Sequence, residues 1–154
     1  MKTVREQIIS RIISQLETIT LSNGYLNEIG GGHVYRCIPI IEQNITPAIA
    51  VWELAEKRER NTYGGTIRTL LIKIEAMVDT NGDQHPAESA NALLGDIEKS
   101  LMLSNTEIDG LIDDIQDVAA ELIPLPLEQQ LAAASIEFEI QYTTEWGNPY
   151  QLHH

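Results

Sequence analysis

From Ala132 to Tyr142 every second residue is apolar: Ala132, Ala134, Ile136, Phe138, Ile140 and Tyr142 alternate with Ser135, Glu137, Glu139 and Gln141. Successive side chains of a strand point to opposite faces, so this period of two demands a long strand with one face on a core. The other face meets water or a partner. A chain carrying such a segment must build a half-covered sheet, and something else in the sequence must cover it.

Two amphipathic segments can. Val4, Ile8, Ile9, Ile12, Ile13, Leu16, Ile19 and Leu21 recur at helical spacing behind Thr3 and Glu6, the hydroxyl and carboxylate of a capping box. A first helix is expected from about 3 to 21, stopped by Ser22, Asn23 and Gly24. A second, opened by Pro86 and carrying Ala90, Leu94, Ile97 and Leu101, is expected from about 86 to 103. Between them, Gly30 to Gly32 reads as a flexible turn, His33 to Ile40 as a short strand limited by Pro39, and Ala48 to Leu54 as a second strand. Residues 55–65 are charged and end in two glycines, which predicts a loop. Thr66 to Asp79 then makes a long central strand with Leu70, Ile72, Ile74, Ala76 and Val78 on one face. After the second helix an acidic loop or short helical turn over 105–116 leads to a strand from Asp117 to Ile123, ended by Pro124 and Pro126, before the final strand near Leu131. The order predicts one α+β domain over residues 1–154: a mixed or antiparallel sheet with both amphipathic helices packed on one face. Thr69, Lys73, Glu75, Glu137, Glu139 and Gln141 belong to the opposite face. The expected core joins Ile8, Ile12, Leu16 and Ile19 with Leu94, Ile97 and Leu101 over Leu70, Ile72, Ile74, Ile136, Phe138 and Ile140.

The charge is uneven in a way that bears on partners. Residues 1–73 hold nine Lys/Arg against seven Asp/Glu, whereas residues 74–154 hold Lys99 alone against sixteen acids. Nucleic-acid binding neutralises phosphates with clustered basic side chains, so a chain of net charge −13 lacks that footprint. A polar charge distribution suits head-to-tail self-association, and it equally describes a solvated acidic surface. No segment reaches the ~20 apolar residues of a membrane span, and the first thirty residues lack the basic start and apolar run of a signal peptide. With Cys37 alone no internal disulfide can form, so a soluble protein of a reducing compartment is expected.

No catalytic constellation is legible. Cys37 and the bases His33 and His85 lie in no nucleophile signature, and Cys37 in a short apolar strand reads as a buried thiol. The three glycines before His33 are followed by no GK[ST]. Asp79, Asn81 and Asp83 start like a calcium loop, but Gln84 stands where glycine is required and Ala90 where the bidentate glutamate belongs. His153 and His154 read as a frayed tail. No metal, cofactor or enzymatic activity is therefore expected. Two places remain for a partner. Lys57, Arg58 and Arg60 cluster in the expected loop, which is either a solvated connection or a segment that orders against a partner. Trp146 and Tyr150, beside Gly147 and Pro149, either cap the sheet or anchor a protein interface.

The order and spacing of these segments resemble the tail terminator proteins of long-tailed bacteriophages, the group that includes minor tail protein U and its tail-completion relatives. The features that carry the resemblance are the opening helix, Pro47 to Trp52 before a charged segment, the strand Arg68 to Val78, the helix from Pro86 to Ile97, and the closing strand Ile136 to Tyr142 ahead of Gly147 to Tyr150. The resemblance implies a subunit of a virion, assembled in the host cytoplasm, that forms a homo-oligomeric ring, a hexamer, on the head-proximal end of the tail. Its partners would be further copies of itself, the tail tube protein and the head or neck connector, with DNA passing through the ring unbound and no membrane involved. Such a ring halts tube polymerisation and forms the joint to the head. Lys57, Arg58, Arg60, Trp146 and Tyr150 would then be partner-binding. A head–tail adaptor or other neck protein shares this pattern, and a small-molecule-binding α+β module is the alternative outside it.

Overall fold

The computed structural model describes residues 1–40, 45–80, 85–103, 108, 110–126 and 129–153. Helix α1 (Val4–Leu16) is followed by a 3-10 turn (Leu21–Asn23), strands β1 (Val34–Arg36), β2 (Ala48–Arg60) and β3 (Gly65–Asp79), helix α2 (Pro86–Glu98) with a π-helical last turn (Lys99–Leu103), and strands β4 (Asp114–Ile123), β5 (Leu131–Glu145) and β6 (Asn148–Leu152). The sheet runs β1-β2-β3-β5-β4, with β6 also on β5. Only the β1–β2 pairing is parallel among the described pairs, so the sheet is mixed.

Both helices lie on one face. Ile8, Ile9, Ile12 and Leu16 of α1 and Leu93 and Ile97 of α2 join Ile49, Val51, Leu70, Ile72, Ile74, Ile136, Phe138, Ile140 and Tyr142 in one cluster of buried side chains. The predicted phase of β5 is correct. For the second helix the expected inner-face residues Ala90, Ile97 and Leu101 are buried and Leu94 only partly so; Leu93 and Asp96 also face inward, Asp96 accepting hydrogen bonds from the Leu26 and Asn27 amides. Gln15 and Ser100 bond each other's carbonyls at 2.9 and 3.0 Å and so join α1 to the end of α2.

Helix α1 stops well short of residue 21. The Thr18 hydroxyl bonds the Gln15 carbonyl, competing with the helical ladder, and Ile29 and Gly30 amides turn back to the Ile19 carbonyl. Thr3 caps the start by accepting from the Glu6 amide, but the Glu6 carboxylate does not complete a capping box; it pairs with Arg36. The triglycine turn is held: the Glu17 carboxylate accepts from the Gly31 and Gly32 amides, and a Cβ on Gly30 would sit 2.2 Å from the Glu17 carbonyl oxygen. Cys37 is exposed one residue beyond β1, at φ 54°, rather than buried in a strand, because β1 ends where Arg36 turns toward Glu6.

The opposite face is not uniformly open. At one end, Ile40, Ala48, Ala50, Met77 and Ala133 form a second buried cluster flanked by Tyr35, Trp52, Ile123, Leu125 and Leu131. This explains the imperfect alternation at the start of β2, where Ala48 to Val51 are all buried, and the burial of Ser135. Toward the other end the same face is polar, carrying Lys73, Glu137, Glu139 and Gln141. Among the described residues, no helix is long and apolar enough to cross a membrane.

Candidate functional site

Where a loop was expected, β2 continues to Arg60. Lys57 pairs with Thr69, Arg58 with Arg68 and Arg60 with Thr66, so the three basic residues stand on an arm formed by the outer ends of β2 and β3, with β5 still paired to the far side of β3 at the same height. On the helix side of the arm Glu56 meets Tyr142 and Arg68, and Arg58 meets Glu56, so charged groups stand where apolar ones would alternate and the hydrophobic period that marks a strand is missing there. Its turn is closed by Asn61, whose side-chain oxygen accepts from the Tyr63 and Gly65 amides at 2.9 Å, with Gly64 at φ 89°. Tyr63 at the tip is 84% exposed.

A bulge between Glu53 and Glu56 lets the arm leave the core with both carboxylates turned to the helix side. Glu56 is then the centre of an ion network. Its carboxylate accepts hydrogen bonds from the Tyr142 hydroxyl and from Arg58 Nε at 2.6 Å, with Arg68 Nη1 at 3.6 Å and Arg5 Nη1 at 3.7 Å. Arg5 Nε also reaches Glu53 at 3.4 Å, and Arg36 bridges Glu53 to Glu6 with contacts of 2.6 to 2.8 Å. Arg68, nearly buried, donates to the Thr144 hydroxyl at 3.1 Å. The network ties α1, β1, β2, β3 and β5 together at the root of the arm. Burial pushes the Glu56 carboxyl up, but the hydrogen bonds from Tyr142 and Arg58 and the nearby arginine charges outweigh it and hold the group below its ordinary range. Burial, and then the bond to Glu56, pushes the Tyr142 hydroxyl up. The hydrogen bond from Arg36 holds Glu6 low in the same way.

Trp146 comes to the same place as the basic residues. Its indole N–H donates to the Gly65 carbonyl at 2.7 Å, and Arg60 lies over its ring at 5.0 Å. Trp146 thus both covers the base of the hairpin turn and stays half exposed, and β6 returns beside it carrying half-exposed Tyr150. Sequence reasoning named Lys57, Arg58, Arg60, Trp146 and Tyr150 as two separate places; the fold gathers them at one end of the sheet. It missed β6, whose Pro149 and brief pairing at Thr144 and Glu145 leave little strand pattern. It also missed the Glu56 network, whose partners lie 2 to 86 positions apart in the chain. The one signal available was that Arg68 shares its parity with Leu70 and Ile72, which places a guanidinium on the core face. His153 is not frayed: its amide bonds the Thr143 carbonyl and its Nδ1 lies 3.1 Å from Glu145. His154 lies outside the described residues.

Little here resembles reaction chemistry. His85 caps α2 by accepting from the Ala87 amide. An apolar groove of about 310 Å³ between α2 and the end of β4 is lined by Pro86, Ala90, Leu122, Pro124, Leu131 and Ala132, with no titratable side chain among the described residues. Among the described residues no three His, Cys, Asp or Glu side chains are grouped to hold a metal ion. Of the calcium-like stretch, Asp79 accepts from the Thr46 hydroxyl, while Asn81, Asp83 and Gln84 lie outside the described residues. No protein-family model matches the chain, and no curated protein matches it.

Proposed function

We propose that the chain is a structural subunit rather than an enzyme, one that assembles with copies of itself into a ring closing the head-proximal end of a phage tail tube and joining it to the neck. The observation that carries this reading is the arm. It carries exposed Lys57, Arg58 and Arg60, with half-exposed Trp146 and Tyr150 of the β5–β6 hairpin at the same end, on a sheet whose polar face and β4 edge hold Asp114, Glu121, Glu137 and Glu139. Unlike surfaces on one subunit are what a closed head-to-tail ring requires. The sequence resemblance to tail terminators supplies the station on the tail and the expectation of six copies.

In such a ring the polar sheet face, with Asp114, Glu121, Glu137 and Glu139, suits a lining past which DNA slides, since like charge repels the phosphate backbone. Duplex DNA binding at physiological salt is therefore expected to be undetectable in a mobility-shift titration; micromolar binding would contradict an acidic lining.

Arg58 serves the Glu56 network, so it is the wrong residue with which to test the surface role of the arm. Lys57→Glu with Arg60→Glu leaves that network intact. The double variant should unfold within about 1 kcal/mol of the parent, allowing for the Arg60–Trp146 contact. It should fail to form rings in size-exclusion chromatography and fail to stop growth of the tube protein of the same virus. Unimpaired ring formation and capping by the variant would leave the arm without a partner role.

A further inference from the structure

The sheet has two open edges, one acidic and the other of mixed charge with a lysine, Lys57, that has no ion-pair partner among the described residues. On one side β1 pairs with β2 only as far as Val51, and no described strand pairs with the outer side of β2 over Trp52 to Arg60. On the other side β4 presents its outer edge over Asp114 to Ile123. Open edges offer unpaired amides and carbonyls to any strand that can align with them. The first edge carries exposed Lys57, Arg58 and Arg60 together with exposed Glu59; the second carries exposed Asp114, Asp117 and Glu121, with exposed Asp113 at its start and no basic residue.

The registers place these charges at matching heights. A single cross-sheet row runs Lys57, Thr69, Gln141, Asp114, so a lysine ends it on one edge and an aspartate on the other. Each step in that row is antiparallel, so β4 runs opposite to β2. A neighbouring copy set edge-on with the same face forward would therefore bring β4 of one subunit antiparallel to β2 of the next. In line with the row, Lys57 meets Asp114; Arg58 falls opposite Asp113, but Arg58 is held by Glu56 and Asp113 accepts from the Thr143 hydroxyl. The row at Glu53 ends on Asp117, but Glu53 is already paired with Arg5 and Arg36. Two β4 edges would set acid against acid, which disfavours that symmetric pairing, whereas the mixed contact sets Lys57 against an aspartate. A heterologous contact of this kind is what generates rings.

We infer that successive copies join by β-sheet addition, the β2 arm of one subunit on the β4 edge of the next, with Lys57 opposite Asp114. The occupant of the β4 edge is a second copy of this chain, and the inference rests on the ring-forming reading above. The experiment uses Cys37→Ser as background and compares Lys57→Cys alone, Asp114→Cys alone, and their mixture under mild oxidation. The mixture should give covalent dimers that neither variant gives alone, and the doubly substituted chain should give a ladder closing at the ring size. In parallel, Lys57→Asp and Asp114→Lys should each weaken association at least about tenfold, and their combination in one chain should restore most of it. Rings that form without the mixed cross-link, and that tolerate both single reversals, would overturn the edge pairing and leave the ring reading standing. A parent chain that stays monomeric at every concentration would overturn both.

Discussion

Phe138→Ala is expected to destabilise the fold by about 3–5 kcal/mol, the loss of a fully buried aromatic together with the cavity it leaves. Phe138 lies on β5 between Ile72 of β3 and Asp117 of β4, in the strand that both neighbours depend on. The residues around it, Leu70, Ile74, Ile136 and Ile140, are themselves held in strand registers and cannot close the gap freely. Denaturant midpoints with an unchanged slope would measure it. A loss below about 1 kcal/mol is the range of surface substitutions and would contradict the burial of this strand face.

Glu56→Gln has the second largest expected effect. The substitution keeps the size of the side chain and removes the charge that faces Arg58, Arg68 and Arg5, leaving the nearly buried Arg68 without its anion. A loss of about 2–3 kcal/mol is expected, since hydrogen bonds to charged groups are worth more than neutral ones and a buried charge stripped of its partner is penalised further. Tyr142→Phe, which removes one donor and leaves the ion pairs, should cost about 1–2 kcal/mol. The pH dependence follows from the direction of the shift. The Glu56 carboxyl titrates lower in the folded chain than its ordinary 4.5, so its contribution is complete above that value and is lost as the pH falls through the folded value. Thermal unfolding followed downward from neutral pH should show the parent losing more stability on the acid side than Glu56→Gln, which retains only the contribution of Glu6 and other carboxylates. Parallel curves for the two would mean that Glu56 carries no net stabilising charge interaction.

The parts of the fold that sequence made legible are those where one face is buried and the other wet. Strand β5 alternates cleanly from Ile136 to Tyr142 because the helices cover one side there and no described element covers the other; at Ala133 and Ser135 both sides are covered and the pattern fades. The arm failed as a prediction for a different reason. Between Glu56 and Arg60 the helix-side positions are themselves charged, Glu56 meeting Tyr142 and Arg68 and Arg58 meeting Glu56, so the segment looks like a loop although Thr66 to Leu70 hold it in register. The candidate contact residues were legible as types, basic and aromatic side chains outside the core pattern. Their gathering at one end of the sheet was not, because it depends on the β2–β3 register and on β6 turning back from Trp146. Nor was the division of labour within the basic cluster, in which Arg58 is committed to Glu56 while Lys57 has no ion-pair partner among the described residues.

Native mass spectrometry of the purified chain over a wide concentration range, with electron microscopy of the same sample, tests the central claim most directly. The account predicts one closed species of fixed subunit number, six from the resemblance, seen end-on as a ring with an open centre. A chain that remains monomeric throughout, or one that grows into open filaments of no fixed length, would contradict it.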